Sequence, residues 1–267
     1  MLNGSQGFTL VELLVGLAIG LIVTTGAISL FSSMTRSTSV IVQTNRMQQE
    51  VREIGLVMTR DIRRAGYSGV VPGEDFNGDG FPNNTQTNFA VIMDAVRADL
   101  LFNPHLSSSA DIRIYDAVGS DDCILFSYNI DGDRPVSGTA AVVENDEWYG
   151  YRRQVVNGRG VLQMKTAGAS PANCTTGTWV PVSSDEFDVT ALTFAMTTTE
   201  IEIENLSGAT LGVCEQNDSC QCARLVDVDM AVRLNSGNDI TTVMSDSVRV
   251  RNDKIVQVRS GNTHCHD

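Results

Sequence analysis

The sequence predicts an α+β protein in which one long N-terminal helix packs on a head made mostly of antiparallel β-strands. Three observations indicate this class. An unbroken apolar run begins at residue 8, a segment with helical periodicity follows it, and strand-like alternation dominates from residue 111 onwards. Because the helical pattern precedes the strand patterns, we expect the helix to come first along the chain and the head to follow it.

The apolar run at residues 8–31 has the length and composition of a membrane-spanning helix. From Phe8 to Thr35 the chain carries one charged residue, Glu12, and no proline. A cleaved secretory signal is a poorer fit, because it needs a basic segment, a shorter apolar core and a small-residue cleavage site. The residues before the run contain neither lysine nor arginine. We therefore interpret residues 8–31 as a transmembrane helix.

Residues 32–66 continue this helix as an amphipathic extension. Apolar side chains recur there at steps of three and four residues, which places them on one helix face. They are Met47, Val51, Ile54, Met58, Ile62 and Ala65. Gly66 provides a C-terminal cap, and Arg63 and Arg64 suit the negative end of the helix dipole. We expect the apolar stripe to pack on the head at residues 67–267.

Strand patterns dominate the head. Residues 67–110 are rich in Gly, Asn, Pro and Ser, which indicates an irregular connection, with one short helix predicted at 89–101. Later segments have the residue types and the alternation of β-strands. They are 111–118, 123–130, 148–156, 161–166, 187–199, 225–234 and 247–258, the last with a turn at residues 252–253. The head is therefore predicted to be mostly antiparallel.

Charge is distributed unevenly along the chain, which has a net charge of −13. Residues 36–66 carry six arginines against three acids, whereas residues 67–267 carry 13 basic residues against 28 acidic ones. The acidic head argues against nucleic-acid binding through bulk charge, because phosphate contacts need clustered Lys or Arg. An acidic head suits an exported domain, or one that meets cations or basic partners. A solvated acidic surface is the simpler explanation.

All six cysteines follow the membrane helix. An even count in a domain outside the cytoplasm predicts up to three disulfides, whose pairing the sequence leaves open. Cys220 and Cys222 are too close to bridge each other comfortably, so we expect each to pair elsewhere. A zinc site that includes His264 and His266 is the less favoured alternative. The disulfide candidates are Cys123, Cys174, Cys214, Cys220, Cys222 and Cys265.

A short acidic segment at residues 75–80 fits the opening of a calcium-binding loop. Asp75, Asn77 and Asp79 would supply oxygen ligands, and a glycine follows for the turn. The twelfth position, however, is Gln86 rather than a bidentate glutamate. A partial calcium site and an Asx-rich turn without metal are both consistent with this pattern. No cofactor is required by the sequence, and calcium is the one candidate.

Glu12 is the most unusual residue of the apolar run. A carboxylate inside a membrane helix costs about 2.5–3.5 kcal/mol on insertion scales, so such an acid needs a partner. An amine is the best partner for a charge in apolar surroundings. If the chain were cut after Gly7, the new amino group of Phe8 would lie one helical turn from Glu12. Glu12 of one subunit could then pair with Phe8 of a staggered neighbour.

The segment from Gly7 through Phe8-Thr-Leu-Val-Glu12 closely resembles the class III signal of type IV pilins and pseudopilins. The resemblance implies a leader at residues 1–7, cleavage after Gly7 by a prepilin peptidase and N-methylation of Phe8. It also implies that Glu12, at the fifth position of the mature chain, takes part in subunit assembly. The leader departs from the family pattern because it lacks basic residues.

The head is more loosely similar to PilW-type minor pilins and the related J-type pseudopilins. The similar segments are residues 149–153, 160–163 and 248–252. The resemblance implies a pilin-like fold and a single-pass inner-membrane protein with a periplasmic head, which later enters a pilus, at its tip. Implied partners are other minor pilins, the major pilin, the prepilin peptidase, the inner-membrane assembly platform and a tip adhesin. The implied function is initiation of type IV pilus assembly.

Two other functions are consistent with the sequence. The same architecture could serve type II secretion as a tip pseudopilin. Alternatively, the chain could be a membrane-anchored binding module that depends on calcium. We expect no enzymatic activity, because the chain has no G-x-S-x-G motif or P-loop, and Gly158-Arg-Gly160 lacks the third glycine of a dinucleotide turn.

Overall fold

A computed structural model describes most of the chain. The described residues are 9–67, 90–92, 106, 110–115, 123–129, 143–168, 173–204, 219–235, 240–257 and 265. The chain divides into two compact units, residues 1–48 and residues 49–267. Helix α1 (Leu10–Arg64) contributes residues to both units. Within residues 49–267, the last turns of α1 are joined to two β-sheets.

The first sheet is built around one long central strand. It contains β1 (Ala90–Ile92), β7 (Phe187–Glu204), β8 (Ser219–Leu234), β9 (Thr241–Arg249) and β10 (Lys254–Gln257). The strand order is β1-β10-β8-β7, and β9 also pairs with β8. Among the strands that the structure describes in this sheet, only β1 and β10 pair in parallel. Along β8, Val226, Val228 and Met230 are buried whereas Asp229 is exposed, which confirms the predicted period of two.

The second sheet is antiparallel throughout its described strands. It contains β2 (Arg113–Tyr115), β3 (Cys123–Ser127), β4 (Trp148–Val156), β5 (Arg159–Ala167) and β6 (Thr178–Pro181), in that order. A two-residue turn at Asn157 and Gly158 connects β4 to β5, and both residues have positive φ, 52° and 80°. Asn-Gly favours this type of hairpin because both residues tolerate the left-handed conformation. The turn thereby fixes the register of β4 against β5.

The C-terminal part of α1 packs on the head through the predicted apolar stripe. Val51, Met58, Ile62 and Ala65 are all buried. A Cβ atom added at Gly55 would overlap the Met244 side chain of β9, so the absence of a side chain there permits a close approach. These contacts confirm the α+β class with one long helix packed against antiparallel sheets.

Helix α1 ends where the chain of the head supplies hydrogen-bond donors. The Arg63 carbonyl accepts a bond from the backbone N–H of Arg251 at 3.1 Å. The Asn252 side-chain amide donates to the carbonyls of Arg64 and Ala65 at 3.1 and 3.0 Å. These bonds satisfy carbonyls that a helix leaves unpaired at its C-terminus. The chain then turns at Gly66, which has a φ of 77°, as the predicted glycine cap requires.

One predicted element is wrong, and others were missed. The helix expected at 89–101 is contradicted by β1, because residues 90–92 pair in parallel with residues 254–256 of β10. The partner strand lies far away in sequence, so local helix propensity could not reveal it. The remaining residues of that predicted helix, apart from these three, lie outside the described residues. Strand β6 and the first residues of β8 and β9 were not predicted.

Candidate assembly segment

Helix α1 begins with a capping box formed by Thr9 and Glu12. The Thr9 hydroxyl accepts a hydrogen bond from the Glu12 backbone N–H at 3.3 Å. A Glu12 carboxylate oxygen accepts bonds from the Thr9 N–H at 3.1 Å and from the Thr9 hydroxyl at 3.0 Å. These contacts satisfy N–H groups that have no partner inside the helix. Glu12 therefore has a local structural role at the start of α1.

The carboxylate of Glu12 is also accessible to groups outside its own chain. Glu12 is exposed and lies in the first turn of α1, where the helix dipole favours a negative charge. An ionised carboxylate accepts more hydrogen bonds than the two that Thr9 donates. Gly7 and Phe8, the predicted cleavage and methylation residues, lie outside the described residues. The pairing of Glu12 with the amino group of a neighbouring Phe8 stays a prediction.

The first turns of α1 present apolar side chains in every direction. Helix α1 is long and apolar enough to cross a membrane. Its large apolar side chains up to Phe31 are between 52 and 75% exposed in the isolated chain. They are Leu10, Val11, Leu13, Leu14, Val15, Leu17, Ile19, Leu21, Ile22, Val23, Ile28, Leu30 and Phe31. A helix that is apolar all round needs lipid or other helices to cover it. We refer to residues 10–31 as the assembly segment.

The two threonines of the assembly segment do not interrupt its apolar surface. The hydroxyls of Thr24 and Thr25 donate to backbone carbonyls one turn earlier, at 2.6 and 2.7 Å. Their hydrogen-bonding capacity is thus met within the helix, as an apolar environment demands. A Cβ atom added at Gly16, Gly20 or Gly26 would meet nothing within 4 Å, so these glycines expose open backbone surface. Another helix could therefore approach closely at these positions.

Disulfides cross-link the head. Cys123 bonds to Cys174, and Cys222 bonds to Cys265. Cys220 is also disulfide-bonded, whereas Cys214 lies outside the described residues. Cys222 therefore pairs elsewhere rather than with Cys220, as the sequence predicts. In the oxidised state these sulfurs are not available to a zinc ion.

The calcium-loop residues Asp75, Asn77 and Asp79 lie outside the described residues. The calcium site therefore stays a prediction, and so does the alternative of an Asx-rich turn. Among the residues that the structure describes, no group of three or more His, Cys, Asp or Glu side chains could hold a metal ion.

A buried polar contact joins α1 to β4 within residues 49–267. The Tyr151 hydroxyl donates to a carboxylate oxygen of Asp61 at 2.7 Å. Burial raises the pKa of the Tyr151 phenol, and the negative charge of Asp61 raises it further. Nearby, the rings of Tyr128 and Tyr149 stack with centroids 4.0 Å apart. Tyr151 stays protonated under ordinary conditions and donates to Asp61, so this contact stabilises the helix on the head rather than supplying reactive groups.

Sequence reasoning missed two of these contacts, the capping box and the hydrogen bond between Tyr151 and Asp61. Thr9 stands three positions before Glu12, and this T-x-x-E spacing is a known sequence signal for a capping box. That signal could have identified the cap. Asp61 and Tyr151 are 90 residues apart in sequence, and neither residue has a local pattern that indicates the other. Only the packing of α1 on β4 brings them together.

Residues 2–28 match a family model described as the prokaryotic N-terminal methylation motif. The match includes the capping box, Glu12 and most of the assembly segment. Together with the apolar helix, it defines the class of the protein: a membrane-anchored, pilin-like protein with a prepilin-type methylation motif.

Residues 40–250, most of the chain, match the model of prepilin peptidase-dependent protein B. The chain belongs to the prepilin peptidase-dependent protein B family, and it is a type IV minor pilin-like protein. Membership implies processing by a prepilin peptidase and a role in pilus-related assembly. The family is one of structural, pilin-like proteins. Searches of curated proteins and of solved structures returned no similar protein.

Proposed function

We propose that this protein is a minor type IV pilin that helps to start pilus assembly in the tip complex. It is held in the inner membrane by the assembly segment, with its head in the periplasm. After cleavage behind Gly7 and methylation of Phe8, it joins other minor pilins and the major pilin on the inner-membrane assembly platform. The head then contributes specificity for partners at the tip, including an adhesin.

The observation that supports this proposal is the exposed apolar surface of the assembly segment in a chain with a prepilin-type motif. More than a dozen large apolar side chains there have no covering partner among the described residues. Lipid covers such a helix while it is in the membrane. Once the protein leaves the membrane, only equivalent helices of other subunits offer similar surroundings, since exposure to water would be strongly unfavourable. A filament core built from such helices meets this requirement.

Glu12 is proposed to neutralise the amino group of Phe8 in the adjacent subunit. This role can be separated from helix capping, because the two depend on different properties of the side chain. Glu12→Gln keeps an oxygen that can accept the capping bonds but removes the charge. Thr9→Ala removes the capping hydroxyl and keeps the charge. If pairing with the neighbouring amine drives assembly, Glu12→Gln will abolish assembly whereas Thr9→Ala will only weaken it.

The experiment is a count of surface pili in a deletion strain that carries the wild type, Glu12→Ala, Glu12→Gln or Thr9→Ala. We expect the deletion to lose pili, the wild type to restore them fully, and Thr9→Ala to restore them in reduced number. Glu12→Ala and Glu12→Gln should fail although the proteins accumulate in the membrane. Normal piliation in the deletion strain would contradict the proposal.

Secreted-protein levels, measured in the same strains, distinguish the pilus from type II secretion. Loss of secretion with normal piliation would assign the chain to a secretion apparatus as a tip pseudopilin. If pili and secretion are both normal, the membrane-anchored binding module is the remaining alternative. The mass of the mature N-terminus provides an independent check of processing, because cleavage behind Gly7 and methylation give a defined product.

A further inference from the structure

The last turns of α1 have one face that packs on the head and another that is exposed and combines aliphatic side chains with arginines. Leu56 is 63% exposed and Val57 is 40% exposed. Because residues three and four apart share a helix face, arginines surround these two apolar side chains. We call this surface the arginine face. It consists of Arg52, Glu53, Leu56, Val57, Arg60, Arg63 and Arg64, all of which are exposed.

The positive charge of the arginine face is poorly compensated within the described part of the chain. Arg52 and Arg63 form no ion pair with any described residue. Arg60 approaches only the adjacent Asp61, at 3.7 Å, and its side chain stays 62% exposed. Arg64 contacts the neutral phenol of Tyr128. Glu53 is the one acid of the face, which therefore carries a net charge of +3 on a chain of net charge −13.

This combination is typical of a protein-binding surface. An isolated exposed leucine is ordinary on a protein surface. Here, however, two exposed aliphatic side chains are adjacent and lie among four arginines, and arginine is enriched in interfaces and their energetic centres. An acidic partner would gain charge complementarity, and its apolar side chains would cover Leu56 and Val57.

We propose that the arginine face docks an acidic surface of a neighbouring pilin-type subunit. This inference depends on the proposed function, because only an assembling protein has such a neighbour. The helix that bears the face is the same helix whose first turns form the assembly segment. Subunits of this class are therefore partners that α1 is already proposed to contact.

This fold can supply a surface of the required kind, as the outward face of β8 shows. Asp227 and Asp229 stand two positions apart on that face, about 7 Å along the strand. Leu225 is 40% exposed beside them, and Val243 of β9 is 70% exposed. On the arginine face, residues 60 and 63 are neighbours separated by about 5–6 Å between Cβ atoms. A homologous subunit with such a strand face could place a carboxylate against each of two arginines.

Anionic lipid is the other partner that a basic helix face with apolar residues could bind. Arg52 follows Phe31 by 21 residues, which corresponds to about 31 Å along the helix axis. The headgroup region of a bilayer extends only about 5–8 Å beyond each side of its hydrocarbon core. Lipid anchored around the assembly segment is therefore not expected to reach the arginine face.

The test is site-specific photo-crosslinking of the full-length protein in cells that assemble filaments. A photoreactive amino acid is introduced at Leu56, with Leu17 as a positive control in the assembly segment and Val155, 56% exposed on β4, as a control surface. We expect Leu17 and Leu56 to form adducts with a prepilin-type protein, and the adduct of Leu56 to map to an acidic peptide. Val155 should not give that adduct.

Charge variants sharpen the test. Arg52→Glu/Arg63→Glu should reduce the Leu56 adduct by about ten-fold or more, because like charges then oppose the acidic partner. Arg52→Lys/Arg63→Lys should keep its yield within about two-fold, since the charge remains. Retained disulfides on a non-reducing gel show that each variant has folded.

The other outcomes overturn the inference in distinguishable ways. Adducts from Leu17 but none from Leu56 would refute the docking site and leave the proposed function intact. Adducts of Leu56 with lipid, or with a protein that has no prepilin motif, would also refute it. A Leu56 adduct that is insensitive to charge reversal would refute the electrostatic basis. If neither position forms an adduct with a prepilin-type protein, both this inference and the proposed assembly role fail.

Discussion

Two stretches of helix α1 contain similar apolar residues but differ in how far those residues are buried. In the assembly segment Ile28 is 63% exposed, whereas Ile62, near the end of α1, is fully buried. The residue type and the secondary structure are identical, so neither of them determines burial. The difference is that the head supplies a matching surface for residues 51–65, while the described part of the chain supplies none for residues 10–31. The second surface must come from lipid or from other subunits.

Two of the acids in α1, Asp61 and Glu12, show the same contrast. Asp61 is buried and receives a hydrogen bond from Tyr151 of the same chain. Glu12 is exposed, and among the described residues its carboxylate accepts hydrogen bonds only from Thr9, which precedes α1. Asp61 therefore has its hydrogen-bond partner within the head. The exposed carboxylate of Glu12 is accessible to a group of another molecule.

The largest expected effect is the difference in head stability between alanine substitutions at Ile62 and at Ile28. Ile62→Ala removes buried side-chain atoms and leaves a cavity, so it should lower the free energy of unfolding of the head by about 2–5 kcal/mol. Ile28→Ala should change it by less than about 0.5 kcal/mol, because an exposed side chain loses few contacts. Both tryptophans, Trp148 and Trp179, lie in the head. Their fluorescence during denaturant unfolding of the full chain in detergent therefore reports on the head alone.

A count of surface pili should reveal the effect of Ile28→Ala that head stability does not show. Ile28→Ala is expected to reduce piliation although its head is as stable as that of the wild type. Equal losses of head stability in the two variants would contradict the division of α1 into a segment that the head covers and one that it does not.

The next effect concerns the two acids. Asp61→Ala leaves the buried Tyr151 hydroxyl without its carboxylate acceptor, with only the weak Met164 sulfur acceptor at 3.6 Å, and should destabilise the head by about 1–3 kcal/mol. Glu12→Ala should leave head stability unchanged. The double variant Asp61→Ala/Tyr151→Phe should lose less free energy of unfolding than the two single variants lose in sum, because the two side chains act as a unit. Additive losses in the double-mutant cycle would show that the hydrogen bond contributes little.

A smaller effect is expected for two glycines, one at the end of α1 in the head and one in the assembly segment. Gly66→Ala forces an alanine into a φ of 77° and directs its Cβ into the Leu106 side chain. The backbone strain alone should cost the head about 1–2 kcal/mol. Gly20→Ala, whose Cβ would meet nothing within 4 Å, should not change head stability. A Gly66→Ala head as stable as the wild type would show that the end of α1 relaxes freely.

The smallest effect is a pH dependence that belongs to the head alone. Burial opposes ionisation of Asp188, but the Gly160 N–H and the Arg233 guanidinium outweigh it and lower the pKa of its carboxyl. A carboxyl whose pKa is lower in the folded state stabilises the fold above its unfolded pKa. This stabilisation is lost as the pH falls below about 3.8.

The thermal midpoint of the wild type should therefore fall more steeply than that of Asp188→Asn in acid. Asp185→Asn serves as the control, because the Asp185 carboxylate is 95% exposed and its surface ion pair with Arg159 contributes little. Parallel acid curves for the wild type and Asp188→Asn would contradict the assigned role of Asp188.

Regular and local patterns were predicted well. The apolar stripe of α1, the glycine at its end and the alternation of β8 each depend on neighbouring residues, which one stretch of sequence contains. Prediction failed where a distant partner determined the structure. Residues 90–92 form a strand because β10 lies beside them, and the pairings of Cys123 with Cys174 and Cys222 with Cys265 join residues 51 and 43 positions apart in sequence.

The assembly segment itself was evident from sequence, because an apolar helix with one carboxylate behind a prepilin motif needs no tertiary contact to define it. The sequence by itself thus determined the class of the protein and the residues proposed for its assembly. Only the tertiary structure decided which side of residues 49–64 is covered, that Asp61 meets Tyr151, and that an arginine face remains exposed. The physical reason is that burial requires a complementary surface, and for these residues that surface comes from strands distant in sequence.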